Sequence, residues 1–131
     1  MVDNDDATHS LLKDLQRIED MKQTKLLEIK DKINSFELDD DLIFFYGASC
    51  PYTAHVAPAV TCLEFALGKQ ITRKEVYGNA TNQDLYRALG GEEKCGGVPF
   101  FYNKKSGSTV CGARTCRILQ EWAKSTAAKQ Y

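Results

Sequence analysis

No Cys-x-x-Cys pair occurs anywhere in the 131 residues, although the chain has five cysteines. Cys50, Cys62, Cys95, Cys111 and Cys116 are an odd number, and they lack the dense, regular framework of small secreted domains. Histidine is scarcer still. Only His9 and His55 could add imidazole ligands, so a zinc site is not expected and no metal is assigned. These absences point to a reducing compartment with most thiols free. Charge of one sign is also missing: 17 basic residues face 18 acidic ones, for a net charge of −1. Nothing in that balance favours nucleic acid or an anionic membrane surface. No apolar run approaches the ~20 residues of a membrane span. The first residues, with Asp3, Asp5 and Asp6, read as neither a secretory signal nor an Arg-rich transit peptide. The expected location is the cytoplasm, or a plastid or mitochondrion if a transit peptide has been removed.

What is present is the composition of an ordinary globular protein, 43% hydrophobic and 27% charged, at a length that suits one domain. After a charged tail, Leu11, Leu15, Ile18, Met21, Leu26, Ile29, Ile33 and Phe36 recur at mostly helical spacing, with no Gly or Pro between them. This predicts a helix of about 28 residues, ~42 Å long at 1.5 Å per residue. Its apolar face can pack on its own domain, or serve as a coiled-coil or partner-binding surface. Lys22 and Lys25 interrupt the seam of a simple parallel dimer. Residues 1–40 therefore read as tail and long helix, with Asp39-Asp40-Asp41 as an acidic linker. Residues 41–131 read as the folded domain.

That domain opens with Leu42-Ile43-Phe44-Phe45-Tyr46, apolar on both faces as a buried strand must be. A turn of small residues, Gly47-Ala48-Ser49, leads to Cys50 and a helix to about Leu67, which contains Pro58 and stops at Gly68. Gln70 to Tyr77 reads as a second strand, parallel to the first because a helix connects them. Thr81 is placed to cap a helix over 82–89, ended by Gly90-Gly91, with a polar loop after it. Val98 to Tyr102 and Ser108 to Cys111 form a hairpin about Asn103-Lys104-Lys105-Ser106-Gly107. Thr115 to Lys124 is the closing helix. The fold class is α/β: a four-stranded mixed sheet flanked by helices, in the order β-α-β-α-β-β-α.

Cys50 is the residue that points to chemistry. A cysteine at the start of a helix meets its free amides and the positive end of its dipole, and both favour the thiolate. The Thr53 hydroxyl is placed to add a hydrogen bond. Cys95 and Cys111 are candidate second thiols, one in the loop before Pro99 and the other before Gly112. The plainer reading of each is an unpaired, partly buried small residue. Cys62 falls on a face expected to pack, and Cys116 begins the last helix away from Cys50. His55, five residues after Cys50, reads as a surface histidine.

Over roughly residues 42–125 the chain resembles the thioredoxin superfamily. Cys50-Pro51-Tyr52 is similar to the start of a glutaredoxin active-site motif, and Pro58 to the proline of the thioredoxin active-site helix. Val98-Pro99 is similar to the cis-proline segment, and Gly112 to the glycine after the last strand. The resemblance implies a thioredoxin-like fold closest to the minimal glutaredoxin form. It implies Cys50 as nucleophile beside Thr53, with Pro51, Tyr52, Val98, Pro99 and Gly112 as substrate contacts. An extended substrate would pair with the backbone edge at Pro99.

There are departures. Thr53 stands where dithiol members have their resolving cysteine, Ser49 replaces an aromatic, and Phe44 replaces a buried acid. The lysine, threonine and Gly-Gly-acid turn that grip glutathione in glutaredoxins are absent. The resemblance, with these departures, implies a monothiol oxidoreductase whose Cys50 forms mixed disulfides with a protein disulfide or a glutathionylated substrate. No cofactor is required, and glutathione stays open as a cosubstrate. The alternative is a non-catalytic scaffold that self-associates or binds a partner protein through its N-terminal helix. An iron–sulfur cluster bridged through Cys50 and glutathione is a third and weaker reading.

Overall fold

The computed structural model describes residues 32–131. The long amphipathic helix expected before them, with its partner-binding face, lies almost wholly outside the described residues. Phe36–Tyr131 form one compact unit. Its elements are β1 (Leu38–Tyr46), α1 (Pro51–Leu67), β2 (Gln70–Glu75), α2 (Ala80–Ala88), α3 (Gly91–Lys94), β3 (Phe100–Asn103), β4 (Thr109–Cys111) and α4 (Cys116–Lys124). The strands make one mixed sheet in the order β2-β1-β3-β4. β1 and β2 are parallel, whereas β1–β3 and β3–β4 are antiparallel.

The alternation of β1 explains the layers. Leu42 and Phe44 point to one face, where they meet Val56, Val60 and Leu63 of α1 and Leu119 and Trp122 of α4. Ile43 and Phe45 point to the other, where Val76, Tyr86 and Phe100 complete a second core. Since both faces are covered, the strand is apolar throughout its middle. Phe44 stacks on Phe101 with centroids 4.7 Å apart, and Phe101 meets Trp122 edge-on.

β1 begins at Leu38, so Asp39-Asp40-Asp41 are strand and not linker. Leu38 and Asp39 pair with Gln70 and Ile71, then the register shifts before Ile43 pairs with Thr72. The irregular stretch carries partly exposed carboxylates that a regular, doubly covered strand would bury. The cap of α2 is Asn79, whose side chain accepts from the Asn82 amide at 3.0 Å, rather than Thr81. The expected loop after it contains the single turn α3. Gly68 closes α1 with φ 66°, the left-handed conformation glycine adopts most readily.

Buried Glu64 ties α1 to β2, accepting from the Ile71 amide at 2.9 Å and from the Arg73 guanidinium. Past α4 the tail returns to the sheet. The Thr109 amide donates to the Lys129 carbonyl at 2.9 Å, and the Tyr131 amide to the Thr109 carbonyl at 2.8 Å. No helix among the described residues is long and apolar enough to cross a membrane.

Four of the five cysteines are paired, which corrects the expectation of mostly free thiols. Cys62 of α1 is bonded to Cys116 of α4, with Cα atoms 5.9 Å apart, and Cys62 is exposed rather than packed inside. Cys95 is bonded to Cys111, with Cα atoms 5.4 Å apart. Cys50 alone is free.

Candidate active site

β1 ends at Tyr46 and α1 begins at Pro51, so residues 47–50 must turn the chain. The Cys50 amide donates to the Gly47 carbonyl at 3.0 Å, which closes the turn. Cys50 is then the N-cap of α1, with extended backbone. Pro51 takes the first helical position, where its missing N–H removes no helical bond. The Thr53 amide donates to the Cys50 carbonyl at 3.1 Å, and the Tyr52 and Thr53 amides lie close enough to the Cys50 side chain to favour its thiolate.

The sulfur is largely covered, with Cys50 9% exposed. Burial is the largest single influence on its ionisation and opposes the charge. The Thr53 and Tyr52 amides together with the Tyr77 and Thr53 hydroxyls outweigh it, and the thiol pKa falls below its ordinary value. Thr53 Oγ1 accepts from the Gly47 amide at 3.3 Å, which leaves its own proton for the sulfur. In the neutral state the thiol faces the Val98 carbonyl, with Sγ 3.7 Å from its oxygen.

Tyr77 and Glu75 are contributors that sequence reasoning missed. Parallel strands β1 and β2 end on the same side of the sheet, and the Val76 amide donates to the Tyr46 carbonyl at 2.9 Å. Residues just past β2 therefore reach the Cys50 turn. The hydrogen bond to Cys50, burial and the nearby Cys50 and Glu75 charges raise the Tyr77 pKa, so the phenol stays protonated as a donor. Glu75 accepts from the Gly78 amide at 2.6 Å and the Ala48 amide at 2.8 Å, joining the two loops. Those amides hold its carboxyl below the usual range. The available signal was an aromatic at the end of the strand parallel to the one feeding Cys50.

Beside Val98, whose carbonyl meets the Cys50 sulfur, lies a groove of about 450 Å³. Tyr52 and His55 of α1 line it together with Cys95, Val98, Pro99 and Gly112. The structure thus brings together five of the residues assigned from sequence, and adds His55. Pro51 is exposed at the helix start, outside the groove wall. Cys111 ends β4 and is joined to Cys95. The Val98–Pro99 peptide is cis, and the Gly112 amide donates to the Pro99 carbonyl at 2.8 Å. Gly112 has φ 77°. A second cavity of about 300 Å³ is lined by Tyr77, Gln83, Tyr86, Arg87 and Val98. Among the described residues no cluster of three or more His, Cys, Asp or Glu is arranged to hold a metal ion.

Comparison with protein-family models, with curated proteins and with solved structures finds no match to this chain.

Proposed function

We propose that the protein is a thioredoxin-like, monothiol thiol–disulfide oxidoreductase with Cys50 as its nucleophile. The observation that carries the reading is the single free thiol at the start of α1, whose hydrogen-bond donors lower its pKa. The strand order β2-β1-β3-β4 and the joint placement of Cys50, Val98, Pro99 and Gly112 support it. The thiolate attacks one sulfur of a substrate disulfide. A Cys50–substrate bond forms, the substrate S–S bond breaks, and the departing sulfur leaves as a thiolate that takes a proton from solvent. The groove beside Val98 would hold the substrate chain, with Tyr52 and His55 along one wall. The substrate class is a protein disulfide or a glutathione adduct.

The test is reaction with a chromogenic aromatic disulfide across pH. The native protein is expected to release one aromatic thiolate per chain, with a rate midpoint below the ~8.5 of a free thiol. Cys50→Ser is expected to release none. A midpoint at or above ~8.5, or equal release by Cys50→Ser, overturns the reading.

A further inference from the structure

Thr53 has no sulfur and so cannot resolve a Cys50 adduct, and the other sulfur of α1, that of Cys62, is bonded to Cys116. The groove wall, however, contains a second pair of sulfurs. Cys95 lines it next to Val98 and Pro99, and the Val98 carbonyl is the group that meets the Cys50 sulfur at 3.7 Å. Only Gly96 and Gly97 separate Cys95 from Val98, a span of at most ~10 Å even when fully extended. We propose that Cys95 and Cys111 are the resolving dithiol of the Cys50 reaction, and that their disulfide is the oxidised end of one turnover. This inference rests on the thiol-exchange reading of Cys50.

The two sulfurs are mounted differently. Cys111 is fixed, since it pairs in register with Phe100 and the next amide, that of Gly112, donates to Pro99. Cys95 caps the C-terminal end of α3 and packs, partly buried, against the second core, but the two residues after it are open. Gly96 and Gly97 are exposed, and a Cβ added at Gly97 would meet nothing within 4 Å. The segment is held by the Cys95 amide donating to the Gly91 carbonyl at 2.8 Å, by the Gly96 amide donating to α3 carbonyls, by the Tyr86 hydroxyl donating to the Gly97 carbonyl at 2.7 Å, and by the disulfide itself. Reduction removes the last of these. In the proposed cycle Cys95, freed at its sulfur and followed by two open glycines, is the thiol that moves to Cys50, and Cys111 is the strand-held one that recovers it. Cys62 and Cys116 join α1 to α4 and take no part.

The chemistry balances in three exchanges. Cys50 thiolate attacks the substrate disulfide, forms the mixed disulfide and releases the first substrate thiolate. Cys95 thiolate then attacks the Cys50 sulfur; the bond to substrate breaks, the second substrate thiolate departs, and a Cys50–Cys95 bond forms. Cys111 thiolate attacks the Cys95 sulfur, forms Cys95–Cys111 and returns Cys50 as a thiolate. A sulfur of lowered pKa is the better leaving group in that last step. Two electrons pass from the Cys95/Cys111 pair to the substrate, and an external dithiol restores the pair.

The experiment is a single turnover of the full chain, reduced with a dithiol and freed from it, against a glutathionylated peptide. Products and disulfide linkages are mapped by mass after acid quench. Wild type is expected to release both the peptide thiol and glutathione and to finish with Cys95–Cys111 bonded and Cys50 free. Cys111→Ser is expected to accumulate a Cys50–Cys95 bond. Cys95→Ser and the double variant Cys95→Ala/Cys111→Ala are expected to form the Cys50 adduct and stop there, the adduct itself reporting an intact site. Release of both products by Cys95→Ser at the wild-type rate, or no Cys50–Cys95 bond in Cys111→Ser, overturns the proposal. A wild-type chain that forms no Cys50 adduct overturns the reading beneath it instead, so the two failures are distinguishable.

Discussion

The Tyr77 ring occupies the space into which any Cβ at position 47 would project, so Gly47 and Tyr77 are a matched pair. The ring can approach the Cys50 turn only because residue 47 has no side chain. Gly47→Ala is expected to displace the ring and weaken its hydroxyl's bond to Cys50. Thiol alkylation at neutral pH should then slow while the fold, followed by circular dichroism, is retained.

Tyr77→Phe separates the hydroxyl from the ring. The ring contact with Gly47 stays and only the donor is lost. Tyr77 is 56% exposed, so the effect of losing it is modest. Alkylation of Cys50 at neutral pH is expected to slow about threefold to tenfold, equivalent to ~1 kcal/mol of hydrogen bonding to a charged acceptor. The rate midpoint should move up toward the ordinary thiol value. An unchanged profile would remove Tyr77 from the site.

The lowered pKa of Cys50 also couples stability to pH. An acid whose pKa is lower folded than unfolded stabilises the fold above its unfolded pKa, ~8.5 for a thiol, and loses that contribution as pH falls through the folded value. The stability difference between wild type and Cys50→Ser should therefore shift in favour of wild type as pH rises across that window. Urea titrations at several pH values check the sign.

The Cys62–Cys116 bond closes a separation of 54 residues and joins the two helices on one face of the sheet. Replacing both cysteines by serine is expected to cost ~2–4 kcal/mol in urea unfolding. Cys50 reactivity in the folded state should not change, because neither residue touches that thiol or lines its groove.

Trp122 is fully buried; its ring packs against Phe101, and its indole N–H donates to the Ser108 carbonyl at 3.0 Å. Trp122→Ala should cost ~3–5 kcal/mol, largely from the cavity, as read from the urea midpoint.

The sheet was legible in the sequence where local signals and burial agree. A doubly apolar strand at 42–46, a helix ended by Gly68 and a hairpin around Asn103–Gly107 each carry their own punctuation. Asp39–Asp41 are different: three carboxylates in a row look like a linker, whereas here they occupy the irregular end of β1. The disulfides were not legible, since partners 54 and 16 residues apart are chosen by the fold and not by spacing. In the candidate site, Cys50 and Thr53 were singled out from their place at a helix start, whereas Val98, Pro99 and Gly112 were named only through the family resemblance; the structure places these three together in the groove wall. Tyr77 was not, because an exposed tyrosine after a strand has no local mark of being aimed at a thiol.

The return of the tail to Thr109 has its own consequence. Both the amide and the carbonyl of Thr109 are taken by Lys129 and Tyr131, so a single bridge of the tail, at Gln130, covers the start of β4. An extended peptide from another molecule would have to compete with that segment at an effective local concentration no free peptide matches. At Thr109 the tethered tail thus already holds the backbone groups that an incoming strand would need.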